Sequence, residues 1–149
     1  MKDLFERETV DEILSRIDKL QRTSQRHPGK MDVAQMLAQC SAGMDMASGR
    51  LNPPRAFLER VLGRFVKPLY TNEKHSPAIA PAAKELAFSS PCDSLREQQK
   101  LHAKVRQFHE GGEAQCTRHP HPFFGALTPQ EWGRGTYKHL DHRLRQFGV

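Results

Sequence analysis

Thr128-Pro129-Gln130-Glu131-Trp132-Gly133-Arg134-Gly135-Thr136-Tyr137-Lys138-His139-Leu140-Asp141-His142-Arg143-Leu144-Arg145-Gln146-Phe147 is the stretch on which the reading of this chain turns. Threonine with glutamate three residues on is a capping box, in which each side chain satisfies a backbone amide that the first helical turn leaves orphaned. Proline directly after the cap suits the first helical position, where its missing N–H is not needed. The pattern predicts a helix from Thr128 to about Phe147. Gly133 and Gly135 weaken its first turns by about 1 kcal/mol each relative to alanine. Four residues advance a helix by about 400°, so positions 139 and 143 lie on one face. Two histidines so spaced can share a divalent metal. Here His139 holds the first position, but Arg143 holds the second. A guanidinium keeps its proton near neutral pH and cannot ligate a cation. His142, three residues after His139, is a poorer substitute.

Upstream, other helical starts are legible. Thr9-Val10-Asp11-Glu12 has the capping-box pattern and opens a stripe of Val10, Ile13, Leu14, Ile17 and Leu20 at helical period. Asp32-Val33-Ala34-Gln35 starts a second helix with Val33, Met36, Leu37, Cys40 and Met44 on its apolar side. Gly43 weakens the end of that helix and Gly49 stops it. Pro53-Pro54 begins a short extra helix reaching Val66, with Phe57, Leu58, Val61, Leu62 and Phe65 on one face. Ser94-Leu95-Arg96-Glu97 caps another, carrying Leu95, Leu101, Val105 and Phe108 and ended by Gly111-Gly112. No segment shows sustained strand alternation, and there is no internal repeat. The fold class is all-α, in a single domain over residues 1–149.

Two irregular connections remain. Pro68 to Pro91 carries Pro68, Pro77, Pro81 and Pro91, with a helical turn around Ala82 to Ala87. A connection this long in a compact domain is usually functional or wraps the surface. Cys116 to Leu127 reads CTRHPHPFFGAL. Its prolines forbid regular helix, Phe123 and Phe124 are expected to anchor it in the core, and Gly125 to supply a positive φ before the cap.

Composition narrows the class. A length of 149 residues supports one domain with a real core, and 37% apolar with 27% charged residues fits a small protein with much surface. No run approaches the roughly 20 apolar residues of a membrane span. MKDLFERETVDEIL carries acids where a signal peptide needs an apolar core, which points to a cytoplasmic protein. Cys40, Cys92 and Cys116 form an odd, widely spaced set and read as reduced thiols. The net charge of +6 admits acidic ligands. The basic residues are scattered rather than gathered on a phosphate-tracking face, so nucleic acid is not the expected partner.

The strings GKMDVAQMLAQCSAGMDMA (29–47) and HPFFGALTPQEWGRGTYKHLDHRLRQFGV (121–149) together resemble the DinB/YfiT-like superfamily of four-helix bundles. More narrowly, the chain is similar to small DinB-like proteins whose last helix reads roughly YKHxDHHLRQFG. The resemblance covers about Lys30 to Val149 and implies an up-down bundle, to which this chain's own pattern adds the extra short helix and long proline-rich connections. It also implies a metal site of three histidines, one on the second helix in a segment similar to QMLAHC and two on the last helix. On this chain those positions fall on Gln39, His139 and Arg143. Two of the three ligands are therefore replaced. His142 matches a histidine that the superfamily does not usually spend on the metal.

Three neutral imidazoles hold zinc or nickel with a coordination position to spare, whereas a glutamine amide is a poor ligand and an arginine repels the ion. The expected site is metal-free and without cofactor. Arg143 stands in for the ion, the Gln39 carbonyl accepts one of its hydrogen bonds, and a small, anionic molecule binds at Gln39, His139, His142 and Arg143. The segment Pro68 to Pro91 and the loop His119 to Leu127 would form its rim. The plainer reading of His139, a buried imidazole hydrogen-bonded to a neighbour, stands first on general grounds. An alternative is a metal-dependent thiol transferase or hydrolase, with zinc or nickel on a rearranged site of His139, His142 and the His119–His121 loop, with Cys116 as a further candidate. A third is a dimerisation or interaction protein, a homodimer being compatible with the superfamily. Cys40, beside Gln39, reads as a small buried hydrophobe rather than a nucleophile. Neither a catalytic residue nor an enzyme activity follows from any motif present.

Overall fold

The computed structural model describes residues 2–21, 31–54, 67 and 93–149. Within them lie four α-helices: α1 (Arg7–Asp18), α2 (Val33–Ala47), α3 (Ser94–Gly111) and α4 (Pro129–Gln146). A 3₁₀ turn over Glu113–Gln115 follows α3, and no strand occurs among the described residues. The expected helix after Pro53-Pro54, the Pro68 to Pro91 segment and Cys92 lie outside them.

Local signals place most of the helix ends. Both bonds of the capping box are made at α2 (Asp32 with Gln35) and at α4 (Thr128 with Glu131), and Pro129 is the first residue of α4. Two starts differ from the sequence pattern. Helix α1 begins at Arg7 with Glu6 as N-cap, and Thr9 is inside it, donating to Glu6 Oε2 at 3.2 Å. No side chain caps α1; Thr9, buried in its first turn, serves packing, and the chain enters from the buried Leu4. At α3 the cap is Asp93 rather than Ser94; its carboxylate accepts from the amides of Leu95 and Arg96. Leu95, assigned to the apolar stripe, is 61% exposed, because the first turn of α3 projects past the core.

The core draws on all four helices. Ile13 and Ile17 of α1, Met36 and Met44 of α2, Leu101 and Val105 of α3, and Leu140 and Leu144 of α4 are all fully buried. Burying each such side chain stabilises the fold by about 1.5–3 kcal/mol. The main helix pairings are α1 with α3 and α4, and α2 with α3 and α4. Among the described helices the ring order is therefore α1–α3–α2–α4, with α1 diagonal to α2 and α3 diagonal to α4.

Side-chain pairs give the directions. Leu4 O meets His109 while Ile17 O meets Gln98, so α1 and α3 are antiparallel. Asp3 faces Gly133 and Arg134 while Arg16 reaches Asp141, so α1 and α4 are parallel. Gly43 of α2 lies against His139 of α4 while Cys40, earlier in α2, lies near Arg143, later in α4, so α2 and α4 are antiparallel. It follows that α2 and α3 run the same way, which a tight hairpin could not connect; the long segment 48–93 makes that geometry available.

Two glycines let backbones approach. A Cβ on Gly133 would sit 2.1 Å from Asp3 Oδ1, so glycine in this helical turn is what admits the N-terminal segment. Gly49 has φ +74°, and a Cβ there would meet Thr117 Oγ1 at 3.2 Å. It turns the chain out of α2 where Thr117 N donates to Ala47 O at 2.9 Å.

Candidate functional site

The seam between α2 and α4 contains the residues that the last helix singled out. Gln39 lies on α2, 7% exposed, and Gly43 follows one turn later on the same face. A Cβ on Gly43 would lie 3.8 Å from His139 Cδ2, so the His139 ring faces α2 at a position without a side chain. Arg143, one turn further along α4, has its Nε buried and lies close enough for its charge to act on both His139 and Cys40. The structure thus brings His139, Arg143 and the Cys40 stretch of α2 into one neighbourhood.

The polar bonding differs from expectation. Arg143 Nη1 donates to Gln146 Oε1 at 3.3 Å rather than to Gln39. Gln146, which the sequence reading did not single out, also places its amide nitrogen 3.0 Å from His142 Nε2. Since that amide can only donate, His142 Nε2 accepts. Gln146 therefore orients both His142 and Arg143 from the last turn of α4. Its signal in the sequence was its spacing, at i+4 from His142 and i+3 from Arg143.

Gln39 Oε1 is buried and has no hydrogen-bond partner among the described residues. His139, expected as a hydrogen-bonded buried histidine, likewise has no such bond there, and it keeps part of its surface accessible. The reason is positional: the facing turn of α2 offers Gly43, which has no side chain to donate or accept. Burial, reinforced by the charges of Arg143 and His142, holds the His139 imidazole down to about 4, so it is neutral near pH 7.

Cys40 is 1% exposed, with its Sγ 3.6 Å from Met36 Sδ. Burial pushes its thiol up to about 12 although Arg143 pulls the other way. A thiol held protonated is a poor nucleophile, which fits the reading of Cys40 as a packing residue.

The remaining histidines are drawn elsewhere. His121 Nδ1 accepts from the amides of Phe123 and Phe124 at 3.1 and 3.2 Å, and its ring packs against Phe124 and Trp132. It shapes the loop that leads to α4, where Gly125 adopts φ +79° as expected. Phe124 is buried and Phe123 only half-buried, so one of the two anticipated anchors does most of the work. His119 is exposed, and Cys116 is buried with its Sγ directed to Ala47 O at 3.6 Å. Among the described residues, no three His, Cys, Asp or Glu side chains are grouped as a metal ion would require. No described helix is long and apolar enough to cross a membrane.

The opposite face of α4 is a contrast in saturation. Asp141 accepts from Arg16 at 2.8 Å and from Arg145 at 2.9 Å, and Arg16 also donates to the Asp141 and Val149 carbonyls. Burial pushes the Asp141 carboxyl up, but the hydrogen bonds from Arg145 and Arg16 outweigh it and hold the group below the usual carboxylate range.

No curated protein and no solved structure matches the chain. A family of proteins matches it from residue 2 to residue 148, nearly end to end and across both the α2 segment and the α4 segment that build the seam. The chain belongs to that family, described as protein of unknown function (DUF1569).

Proposed function

We propose that this chain is a DinB/YfiT-type bundle whose inherited metal site has become a metal-free site for a small anionic ligand. The site is the α2–α4 seam, with Gln39, His139, Arg143 and His142 as its polar groups. The observation that carries the reading is the buried Gln39 Oε1, without a partner, on the helix face that meets a neutral His139. A protein rarely leaves a buried acceptor unmet, because desolvation without a hydrogen bond costs about 1–3 kcal/mol. Such an atom is accounted for when a bound molecule completes it.

The division of labour follows from chemistry. Arg143 supplies a fixed positive charge in a poorly hydrated setting, where it attracts an anion more strongly than it would in water. Gln146 holds the guanidinium and His142 in place. Neutral His139 can donate from one ring nitrogen and accept at the other. Gly43 leaves room beside the imidazole that any larger residue would fill.

The test compares metal content in the untagged protein and in a Gln39→His/Arg143→His double variant, both loaded with zinc or nickel and desalted. The reading expects a metal-free parent and about one metal per chain in the variant. Stoichiometric metal bound by the parent through His139 would overturn it.

A further inference from the structure

We infer that the ligand of this site is a protic oxyanion, an anion whose charged oxygens adjoin an O–H of its own, as in hydrogen phosphate or a 2-hydroxycarboxylate. The inference rests on the proposal that the α2–α4 seam binds an anion, and it names the chemical class. It comes from matching donors and acceptors atom by atom. Arg143 can only donate, and its charge selects for negative oxygens. Gln39 Oε1 can only accept, is buried, and has no partner among the described residues. His139 has no hydrogen bond there either and, being neutral, has one N–H and one lone pair to offer.

An anion made only of acceptors, such as sulfate or acetate, answers Arg143 and the His139 N–H. It then turns lone pairs toward Gln39 Oε1 and leaves that acceptor unmet. A ligand with its own hydroxyl answers both. An ammonium group could also donate to Gln39, but it would place a second cation beside Arg143, so an amino acid fits less well than a hydroxy acid. One additional hydrogen bond in a buried site changes affinity by on the order of tenfold.

The experiment uses two pairs of probes matched in charge, with the full chain at pH 7.5 and constant ionic strength. Inorganic phosphate is compared with sulfate, and glycolate with acetate, by titration followed on the His139 imidazole NMR signals. The expected result is binding at least about fivefold tighter for the hydroxyl-bearing member of a pair. Gln39→Met should bring that ratio to about one while sulfate and acetate binding stay as they were. A preference confined to the phosphate pair assigns a phosphoryl ligand, and one confined to the glycolate pair assigns a hydroxy acid. Either supports the inference. Should the Gln39→Met protein fail to fold, the ratios in the parent decide alone.

Ratios of one in both pairs would overturn the inference while leaving an anion site in place. A preference for sulfate and acetate would also overturn it, because Gln39 would then be presenting its amide hydrogens. If none of the four anions binds, the anion-site proposal itself fails, and this inference with it.

Discussion

On the face of α4 turned to α1, Asp141 is held by two arginines, and Arg16 extends the same network to two backbone carbonyls. On the face turned to α2, two residues away in sequence, His139 meets a glycine, and Gln39 Oε1 is left without a partner. Both faces lie on one helix and bury polar side chains. The first has the form of a structural joint, in which every charge is answered from within the protein. The second has the form of a binding surface, in which the protein bears a desolvation cost without the bond that would offset it. Stability and binding are thus segregated by helix face, and perturbing the two faces should give opposite results.

The largest expected effect is on the satisfied face. Asp141→Ala removes the carboxylate nearest to Arg16 and leaves that guanidinium only Glu12 at 3.6 Å and two carbonyls; it should destabilise the fold by about 3–5 kcal/mol, read as a drop in the denaturation midpoint at unchanged slope. A loss under about 1 kcal/mol would mean that the Arg16–Asp141 joint is solvated and that the contrast between the faces is weaker than drawn.

Acidification separates the faces next. The His139 pKa is lowered on folding, so below the unfolded value of 6.5 the unfolded chain takes up a proton that the folded chain refuses until about 4. Stability should therefore fall as pH drops from about 6.5 to 4, by an amount on the order of 3 kcal/mol, and His139→Phe should flatten that slope. The Asp141 contribution behaves differently. Its carboxyl is lowered from 3.8, so its stabilisation is present above that value and is lost only as pH falls further. Urea melts of the parent and of His139→Phe between pH 4 and 7 would show whether the two windows separate.

Two glycines on α4 and α2 sharpen the contrast at smaller amplitude. Gly133→Ala drives a methyl into Asp3 and should cost about 1–3 kcal/mol, despite alanine's better helix propensity. Gly43→Ala meets only ordinary contact with His139 and should stabilise α2 by up to about 1 kcal/mol. It should weaken anion binding at the same time, because the methyl narrows the space beside the imidazole. The smallest effect belongs to Gln39→Leu, which removes an unmet acceptor and should leave stability within about 1 kcal/mol of the parent or slightly above it. A clear loss of stability there would mean that Gln39 is part of the joint rather than of the binding surface.

Much of this architecture is written locally. The capping boxes at Asp32 and Thr128, the Pro129 start, and the positive φ at Gly49 and Gly125 are readable because each depends on residues within one turn. The buried stripes of α1 and α2 follow from helical period alone. Thr9 and Ser94 mislead for an instructive reason. In each case an upstream acidic residue takes the cap position, Glu6 three residues before Thr9 and Asp93 directly before Ser94, and the choice among nearby candidates depends on where the chain enters the core. The sharing of a face by His139 and Arg143 was legible; the role of Gln146 was not, because glutamine at i+3 or i+4 is common on exposed helix surfaces.

What the sequence by itself determined is the presence of the four described helices, most of their apolar faces and the alignment of His139 with Arg143, since these follow from backbone geometry repeated every few residues. Only the tertiary structure decided that α2 and α3 run parallel, that α2 presents Gly43 to His139, and that Arg143 bonds to Gln146 instead of Gln39. It also decided that Gly133 exists for Asp3. These outcomes turn on differences of about an ångström between side chains far apart in sequence. No local pattern encodes such distances; the packing of whole helices sets them.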